Sequence, residues 1–227
     1  MQPQEILLLL HGAATINLLD KILRNLYHQR LLMKKIFTFI FLIVSTHTFA
    51  QDSLKSFNYS RNQITTTGMK VLGSWAIVNI GAGAAGWASS NGGSNKYFYQ
   101  MTTIWGAANL GVALLGYTGA KNNADKQLNA AESLKAQQKI EKIFLINGAL
   151  DVAYIGTGIF LNHRGDNRNS DQLKGYGSDL IVQGVFLLLF DGTMYSSQRG
   201  NGNKLRLFLE KNPITFNGKT VGLIYKL

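Results

Sequence analysis

The chain has no cysteine, only two prolines and few charged residues, and each shortage excludes a class of protein. Without cysteine there is no disulfide framework, no thiolate metal site and no cysteine nucleophile. Charged residues make up 15% of the chain and apolar residues 46%, whereas about a quarter is usually charged. The net charge is +11, but the basic residues do not cluster with aromatic ones as a nucleic-acid platform requires. This balance favours a membrane as the partner and excludes nucleic acid.

The sequence also lacks the motifs of common enzymes. It has no HExxH, no GxSxG and no phosphate-binding loop. Gly81, Gly83 and Gly86 have the spacing of a dinucleotide fingerprint, but they lie inside an apolar stretch rather than after a strand. His163 stands beside Arg164 at the end of another apolar stretch, where it is better explained as an interfacial side chain than as a ligand or base. We therefore expect a non-enzymatic protein with no catalytic residue, no metal site and no cofactor.

Residues 33–51, MKKIFTFIFLIVSTHTFAQ, have the three parts of a secretory signal peptide. Two lysines precede an apolar run, and a small-residue Thr-Phe-Ala site precedes Gln51. We expect a signal peptide at 33–50 and an upstream extension at 1–32 that precedes the true start. The alternative is a genuine helical extension, because the residues before Met33 have helical spacing. The Ala-Gln junction is typical of Gram-negative envelope proteins, and we expect a location in the bacterial inner membrane.

Four apolar stretches of about 20 residues follow, and each has the length needed to cross a bilayer as a helix. They lack proline, and their lysines and arginines lie at the edges. The sequence therefore predicts an all-α membrane protein, a four-transmembrane-helix bundle built from helical hairpins. The predicted parts are an extramembrane segment at 51–68, a transmembrane domain at 69–196 with spans at 69–89, 100–119, 142–162 and 174–195, and a polar helical connector at 120–141.

The last segment, 197–227, is predicted to form a small β-hairpin or meander outside the membrane. Leu205, Leu207 and Leu209 alternate with Arg206, Phe208 and Glu210, which is the period of a strand. Asn217-Gly218 lies between two β-prone runs and is a strong hairpin signal.

Two signals disagree about which way the spans cross the membrane. The signal peptide places residue 51 outside the cytoplasm, together with the 120–141 connector and the tail. On that side, residues 51–70, 120–142 and 196–227 carry fourteen lysines and arginines, whereas residues 90–98 and 163–174 on the opposite side carry four. Positive charge usually marks the cytoplasmic side. We give more weight to the signal peptide because its three-part pattern is specific.

The first two spans are copies of one another. WAIVNIGAGAAGW at 75–87 aligns without gaps to WGAANLGVALLGY at 105–117. In each copy the tryptophan, the asparagine and the small residues after them fall on one face of a helix. In lipid, small residues allow close helix packing, and asparagine bonds across the contact. The predicted packing residues are Trp75, Gly83, Gly86, Trp105 and Gly116.

A polar stripe is predicted to run along the inner faces of all four spans. Spans 3 and 4 show a weaker repeat at an offset of 36 residues, in which Asn147 matches Gln183. The stripe either fastens the bundle or lines a binding site or path, because a carboxylate at membrane depth is costly. Asp179 and Asp191 lie nearer the span ends, where we expect interfacial water to solvate them. The residues of the stripe are Asn79, Asn109, Asn147, Asp151, Tyr154 and Gln183.

The region 51–227 resembles a group of small uncharacterised bacterial envelope proteins with a signal peptide and four predicted spans. The resemblance rests on the Phe-Ala-Gln junction, the paired W-x-x-x-N-x-G spans and the D-x-x-Y-x-G-T-G stretch at 151–158. It implies an unknown function and carries over no active-site residue.

Two functions follow from these patterns. The leading expectation is a non-enzymatic scaffold or assembly partner in the bacterial envelope, whose partners are the lipid bilayer and either another envelope protein or a second copy of itself. The alternative is a small transporter or channel with a polar intramembrane stripe centred on Asp151.

Overall fold

The computed structural model describes residues 3–211, 214–216 and 221–223, and most of these residues lie in four long helices. The helices are α1 (Pro3–Ser89), α2 (Gly93–Asn122), α3 (Ala130–Asn167) and α4 (Asp171–Lys211). Two short strands, β1 (Ile214–Phe216) and β2 (Val221–Leu223), pair antiparallel with Ile214 opposite Leu223.

The chain divides into two compact units, Met1–Phe49 and Ala50–Leu227. The described part of the first unit is helical, and it contains the expected upstream extension and nearly all of the expected signal peptide. Residues 1 and 2 lie outside the described residues. Cleavage before Gln51 stays a prediction.

The positions of the two prolines match the limits of the helical region. Pro3 begins α1, where its missing N–H costs nothing and its fixed φ suits a first helical residue. α4 ends at Lys211, two residues before Pro213, because proline disfavours helical backbone in the residue preceding it. No proline stands between them, so each break between helices has another cause.

Glycine and asparagine form the breaks. Gly92, between α1 and α2, and Gly93, the first residue of α2, have φ values of 109° and 70°, in a region that L-residues rarely adopt. The N-terminus of α3 has a capping box, in which the Asn129 side chain accepts a hydrogen bond from the Glu132 N–H and the Glu132 carboxylate accepts one from the Asn129 N–H. Asn169, at φ 48°, lies between α3 and α4.

The prediction of four transmembrane helices is wrong. Among the described residues, three helices are long and apolar enough to cross a membrane: Ser53–Ser89, Ala130–Asn167 and Asp171–Lys211. The predicted second span lies within α2, which is long enough, but Thr102, Thr103 and Asn109 and its glycines lower its apolar content. The coarser prediction, an all-helical protein with apolar helices of membrane length, agrees with what the structure describes up to Lys211.

The prediction of a β-hairpin or meander over 197–227 is also wrong, because α4 continues to Lys211. The expected hairpin turn, Asn217-Gly218, lies outside the described residues. The alternation of Leu205, Leu207 and Leu209 suggested a strand, but it also contains a helical i, i+4 pair. Leu205 and Leu209 are buried against Leu54 and Ala130, whereas Leu207 is exposed. Burial of the i, i+4 pair favours the helix. The described strands are β1 and β2, with three residues each.

The polar connector expected at 120–141 is not a separate helix. Its first residues complete α2, residues 123–129 form a link that contains a turn, and its second half is the start of α3. One face of that half is buried rather than exposed to solvent, with Ser133, Gln137 and Glu141 at most 5% exposed.

The second unit buries polar side chains and exposes apolar ones, which reverses the usual arrangement in water. Gln137, Asp179, Gln183 and Gln198 are at most 1% exposed. Hydrocarbon surroundings fit this polarity because lipid tails solvate aliphatic side chains and polar groups must bond inside the protein. The pattern is compatible with a membrane location. Outward-facing apolar residues include Ile77, Val78, Leu114, Leu145, Ile146, Val152, Ile159, Val182 and Leu189.

Glycines allow the helix backbones to approach closely. A Cβ built on Gly83 of α1 would lie 2.8 Å from the Thr103 nitrogen of α2, and one on Gly106 of α2 would lie 2.9 Å from the Ile80 nitrogen of α1. The other two predicted packing glycines meet side chains: Gly86 faces the Tyr99 ring and Gly116 faces Met69. Small residues at helix contacts of this kind are typical of membrane bundles.

Candidate functional site

Asp151 of α3 and Asp191 of α4 face each other inside the bundle. They are 3% and 4% exposed, they line the same cavity, and their carboxyl groups are close enough to interact. The amide of Asn147, one turn before Asp151, contacts the Asp191 carboxyl as well. An ionised carboxylate has only acceptor atoms, so two carboxyl groups in contact require a proton or a cation between them.

The pair lines a cavity of about 170 Å³. Three other polar side chains reach it: Asn109 from α2, and Asn147 and Tyr154 from α3. At about 30 Å³ for each water in the liquid, the space accommodates a few water molecules. The remaining walls are apolar and include Met69, Leu72, Val112, Phe144, Leu150, Leu187 and Phe190.

Three polar atoms of the cavity walls are buried without a hydrogen-bond partner: Asn109 Nδ2, Asp151 Oδ2 and Asp191 Oδ1. An unpaired buried polar group lowers the stability of the fold by about 1–3 kcal/mol. Several such groups in one place therefore call for an explanation, such as an occupant that pairs with them. Together they offer one donor and two acceptors to a small polar guest.

The cavity reaches the apolar outer surface between α2 and α3. Val112 and Leu150 belong to its wall, yet 53% and 48% of their surfaces are exposed. Aliphatic side chains therefore separate the carboxyl pair from the surroundings of the bundle. Among the described residues, no ion pair crosses this part of the cavity wall.

A second polar cluster, the Gln183 network, joins α1, α2 and α4. Gln183 Nε2 donates to Asn79 Oδ1 at 2.7 Å, and Trp75 Nε1 donates to Gln183 Oε1 at 3.1 Å. The Thr102 hydroxyl donates to Asp179 Oδ1 at 2.6 Å. Here most polar atoms are paired, and Asp179 Oδ2 is the buried exception among the atoms of this network. The network therefore serves mainly to hold these helices together.

A third cluster, the Gln198 network, joins α1, α3 and α4 where the helices extend past their apolar stretches. Gln137 Nε2 donates to the Gln198 carbonyl at 2.7 Å, and Asn201 Nδ2 donates to Gln137 Oε1 at 2.9 Å. Glu141 pairs with Arg199 at 3.0 Å and with Arg206 at 3.3 Å. A helix rises 1.5 Å per residue, so the 38 residues of α3 measure roughly 57 Å, well beyond the ~30 Å of hydrocarbon.

The single stripe expected from the sequence is divided between two of these clusters. Asn79 and Gln183 belong to the Gln183 network, whereas Asn109, Asn147, Asp151 and Tyr154 line the cavity. The repeated tryptophans follow the same division: Trp75 stacks on Phe186 at 4.0 Å between ring centroids, and Trp105 meets Tyr154 edge-on at 5.2 Å.

Asp179 and Asp191 are not solvated at the span ends as expected. Asp179 is fully buried, and Asp191 forms half of the carboxyl pair. Gln183, Leu187 and Asp191 are each four residues apart and all are buried, so the i, i+4 spacing of α4 was the available signal. The Gln198 network was missed because the buried face of α3 there consists largely of polar residues, Ser133, Gln137 and Glu141.

Comparison with known proteins gives one match. Residues 71–192 match the model of a family described as "Family of unknown function (DUF6992)". That range contains every polar residue described above in the cavity and in the Gln183 network. No curated protein and no solved structure matches the chain.

Proposed function

Because the chain belongs to DUF6992, a family of unknown function, we propose its function from its interior: it is a small membrane transporter or channel that takes up a proton or small cation at the Asp151–Asp191 pair. The observation that supports this is the contact of two buried carboxyl groups in a cavity with unpaired polar walls. Carboxylates at membrane depth are rare and default to functional sites.

The depth of the pair supports the proposal. Asp151 lies in the middle of the apolar stretch 142–162, and Asp191 contacts it and so shares its depth. A proton between the carboxyls lowers the charge that the hydrocarbon must accommodate. A small cation bound there is neutralised by the same two groups, with amide and phenol oxygens within reach. Transport requires that either occupant enters and leaves the cavity. The unpaired polar atoms of the walls can hydrogen-bond to water that accompanies it.

Flux measurements in proteoliposomes test this proposal. Purified protein is reconstituted in vesicles that enclose a pH-sensitive dye, and separately a sodium-sensitive one. We expect flux above that of protein-free vesicles and a loss of at least tenfold in Asp151→Asn and Asp191→Asn. Asp179→Asn is the matched control, because it changes a buried carboxyl of α4 outside the cavity and keeps the flux. The dye that responds identifies the ion.

Two outcomes would contradict the proposal. One is wild-type protein that carries neither ion above the protein-free background. The other is equal loss in all three variants together with equally lowered thermal stability, which would make the carboxyls structural.

The second candidate is the scaffold or assembly role, and the outward faces of α1 and α2 favour it. Gly81 and Gly111 occupy equivalent positions of the repeat, and neither has a neighbour within 4 Å of an added Cβ. An exposed small residue lets another helix approach closely. In this case Gly81→Leu and Gly111→Leu weaken co-purification with an envelope partner or a second copy, while Asp151→Asn has no effect.

Both candidates are non-enzymatic and share a location, the bacterial inner membrane, reached through the signal peptide at 33–50. Mass spectrometry of the purified protein tests the processing. A mature N-terminus at Gln51 is expected, and retention of Met1 would overturn the assignment of the leader.

A further inference from the structure

A second cavity, of about 520 Å³, lies among α1, α2, the link at 123–129 and the first turns of α3. We call it the basic groove, because Arg61, Lys126, Lys135 and Lys139 line it. It lies apart from the carboxyl pair, and no residue lines both cavities. The proposed ion site makes no use of it.

The groove has more positive charge than its walls neutralise. Arg61 is 6% exposed, donates to Asn58 Oδ1 and has no carboxylate partner among the described residues. Glu132 is the one acidic residue of the walls, and its carboxylate accepts the Asn129 N–H at 2.9 Å in the capping box. A buried guanidinium without an anion is costly, which points to an anionic occupant.

Asn62 gives an independent indication of an occupant. It is 7% exposed and lines the groove, and its Nδ2 is buried without a hydrogen-bond partner. The unpaired group is a donor, like the guanidinium and the three ammonium groups around it. One acceptor-rich group would satisfy all of them, and phosphate oxygens are such acceptors.

The other end of the groove is aliphatic and belongs to the outer surface. Leu115 and Ile143 line it with 76% and 41% of their surfaces exposed. A free phosphate ion would make no use of these side chains. A lipid would use both ends, because its headgroup carries the phosphate and its tail is apolar, and basic pockets between membrane helices bind anionic headgroups in this way.

We propose that the basic groove binds one anionic phospholipid, with its phosphate on Arg61, Asn62 and the three lysines and with an acyl chain along Leu115 and Ile143. The lysines reach the headgroup at the ends of long aliphatic stems. The bound phosphate neutralises the buried guanidinium, so the lipid acts as a structural part of the bundle.

Native mass spectrometry of the full chain in detergent tests the proposal, with phosphatidylglycerol and phosphatidylcholine titrated separately. We expect one phosphatidylglycerol to be retained, at least tenfold more tightly than phosphatidylcholine. The triple variant Lys126→Gln/Lys135→Gln/Lys139→Gln loses that preference. The triple variant Lys55→Gln/Lys142→Gln/Lys204→Gln removes the same charge outside the groove and retains it.

Two further experiments test the aliphatic end of the groove and inorganic phosphate as the alternative occupant. The double variant Leu115→Asn/Ile143→Asn changes two side chains on the outer surface, so we expect it to keep the fold. It should weaken phosphatidylglycerol retention at least threefold. Competition by inorganic phosphate at equal concentration would identify a free anion instead and overturn the lipid. Equal loss in both lysine triples would also overturn it, because general surface charge would then explain binding.

Discussion

Gly158 of α3 and Gly177 of α4 bring their backbones into direct contact. A Cβ built on Gly158 would lie 2.7 Å from the Gly177 carbonyl oxygen, and one on Gly177 would lie 2.6 Å from the Gly158 carbonyl oxygen. Both residues lie within helices and are buried, so it is lateral space and not an unusual φ that requires glycine here. The relationship fixes how closely these two helices approach.

The first prediction concerns this contact. Gly158→Ala forces the two backbones apart, and overpacking of this kind costs about 1–3 kcal/mol of unfolding free energy. Gly156→Ala is the control, because a Cβ there meets nothing within 4 Å, and alanine favours the helix. Thermal unfolding in detergent measures both variants. Equal midpoints for the two would show that α3 and α4 do not meet at Gly158.

The second prediction compares two adjacent glutamines. Gln137 is 1% exposed and bonded to α4, whereas Gln138 is exposed. Gln137→Leu leaves the Gln198 carbonyl and the Asn201 amide without this partner, and we expect a loss of about 2–6 kcal/mol, at 1–3 for each of the two groups. Gln138→Leu should stay within about 0.5 kcal/mol of the parent. Denaturant titration in detergent distinguishes them, and similar losses would contradict the buried network.

The third prediction concerns Asn79 and Gln183, whose amides are 2.7 Å apart. A double-mutant cycle with alanine at both positions should give a coupling of about 0.6 kcal/mol, and at most about 1.7, as for other hydrogen bonds between membrane helices. The comparison cycle pairs Asn79 with Gln137, which lies in the other network. It should be additive within about 0.5 kcal/mol. Additivity in the first cycle would count against the Gln183 network.

The fourth prediction tests whether α3 crosses the membrane. Asp125 precedes α3 and Asp166 lies at its far end, and the chain has no native cysteine to interfere. Asp125→Cys and Asp166→Cys should react with a membrane-impermeant thiol reagent from opposite sides of intact cells or spheroplasts. The side from which the Asp125→Cys variant is labelled also decides between the signal peptide and the charge count. Labelling of both positions from one side would exclude a single crossing by α3.

The helices follow from local properties of the sequence. Proline-free apolar stretches of about 20 residues leave helix as the conformation that satisfies every backbone group in lipid. The pairing of Asn79 with Gln183, in contrast, depends on how α1 and α4 are rotated about their axes, which no single stretch specifies. The sequence predicted that both residues lie on inner faces. It did not predict that the stripe is divided between the Gln183 network and the cavity.

The predictions from sequence were wrong for two reasons. A segment fitted both the helical and the strand period, or the residues packed against a face could not be known from the face itself. Leu205, Leu207 and Leu209 fit both a strand and a helix, and only the contact with Leu54 and Ala130 decides between them. Gln137 and Glu141 look like an exposed polar face until Gln198 and Arg206 are known to lie against them. Such faces are defined by their partners rather than by their own hydrophobicity.

The absence of proline between Pro3 and Pro213 has a mechanical consequence. Sharp kinks in helices arise mostly at proline, at Gly/Ser pairs or at inserted residues, so α3 and α4 lack a proline joint at which half a helix could swing. Under the transport proposal, admission of an ion to Asp151 would therefore require whole helices to slide or tilt, in the manner of shear rather than hinge motion. At Gly158 and Gly177 backbone meets backbone, so a sliding movement of α3 against α4 would pass through this contact.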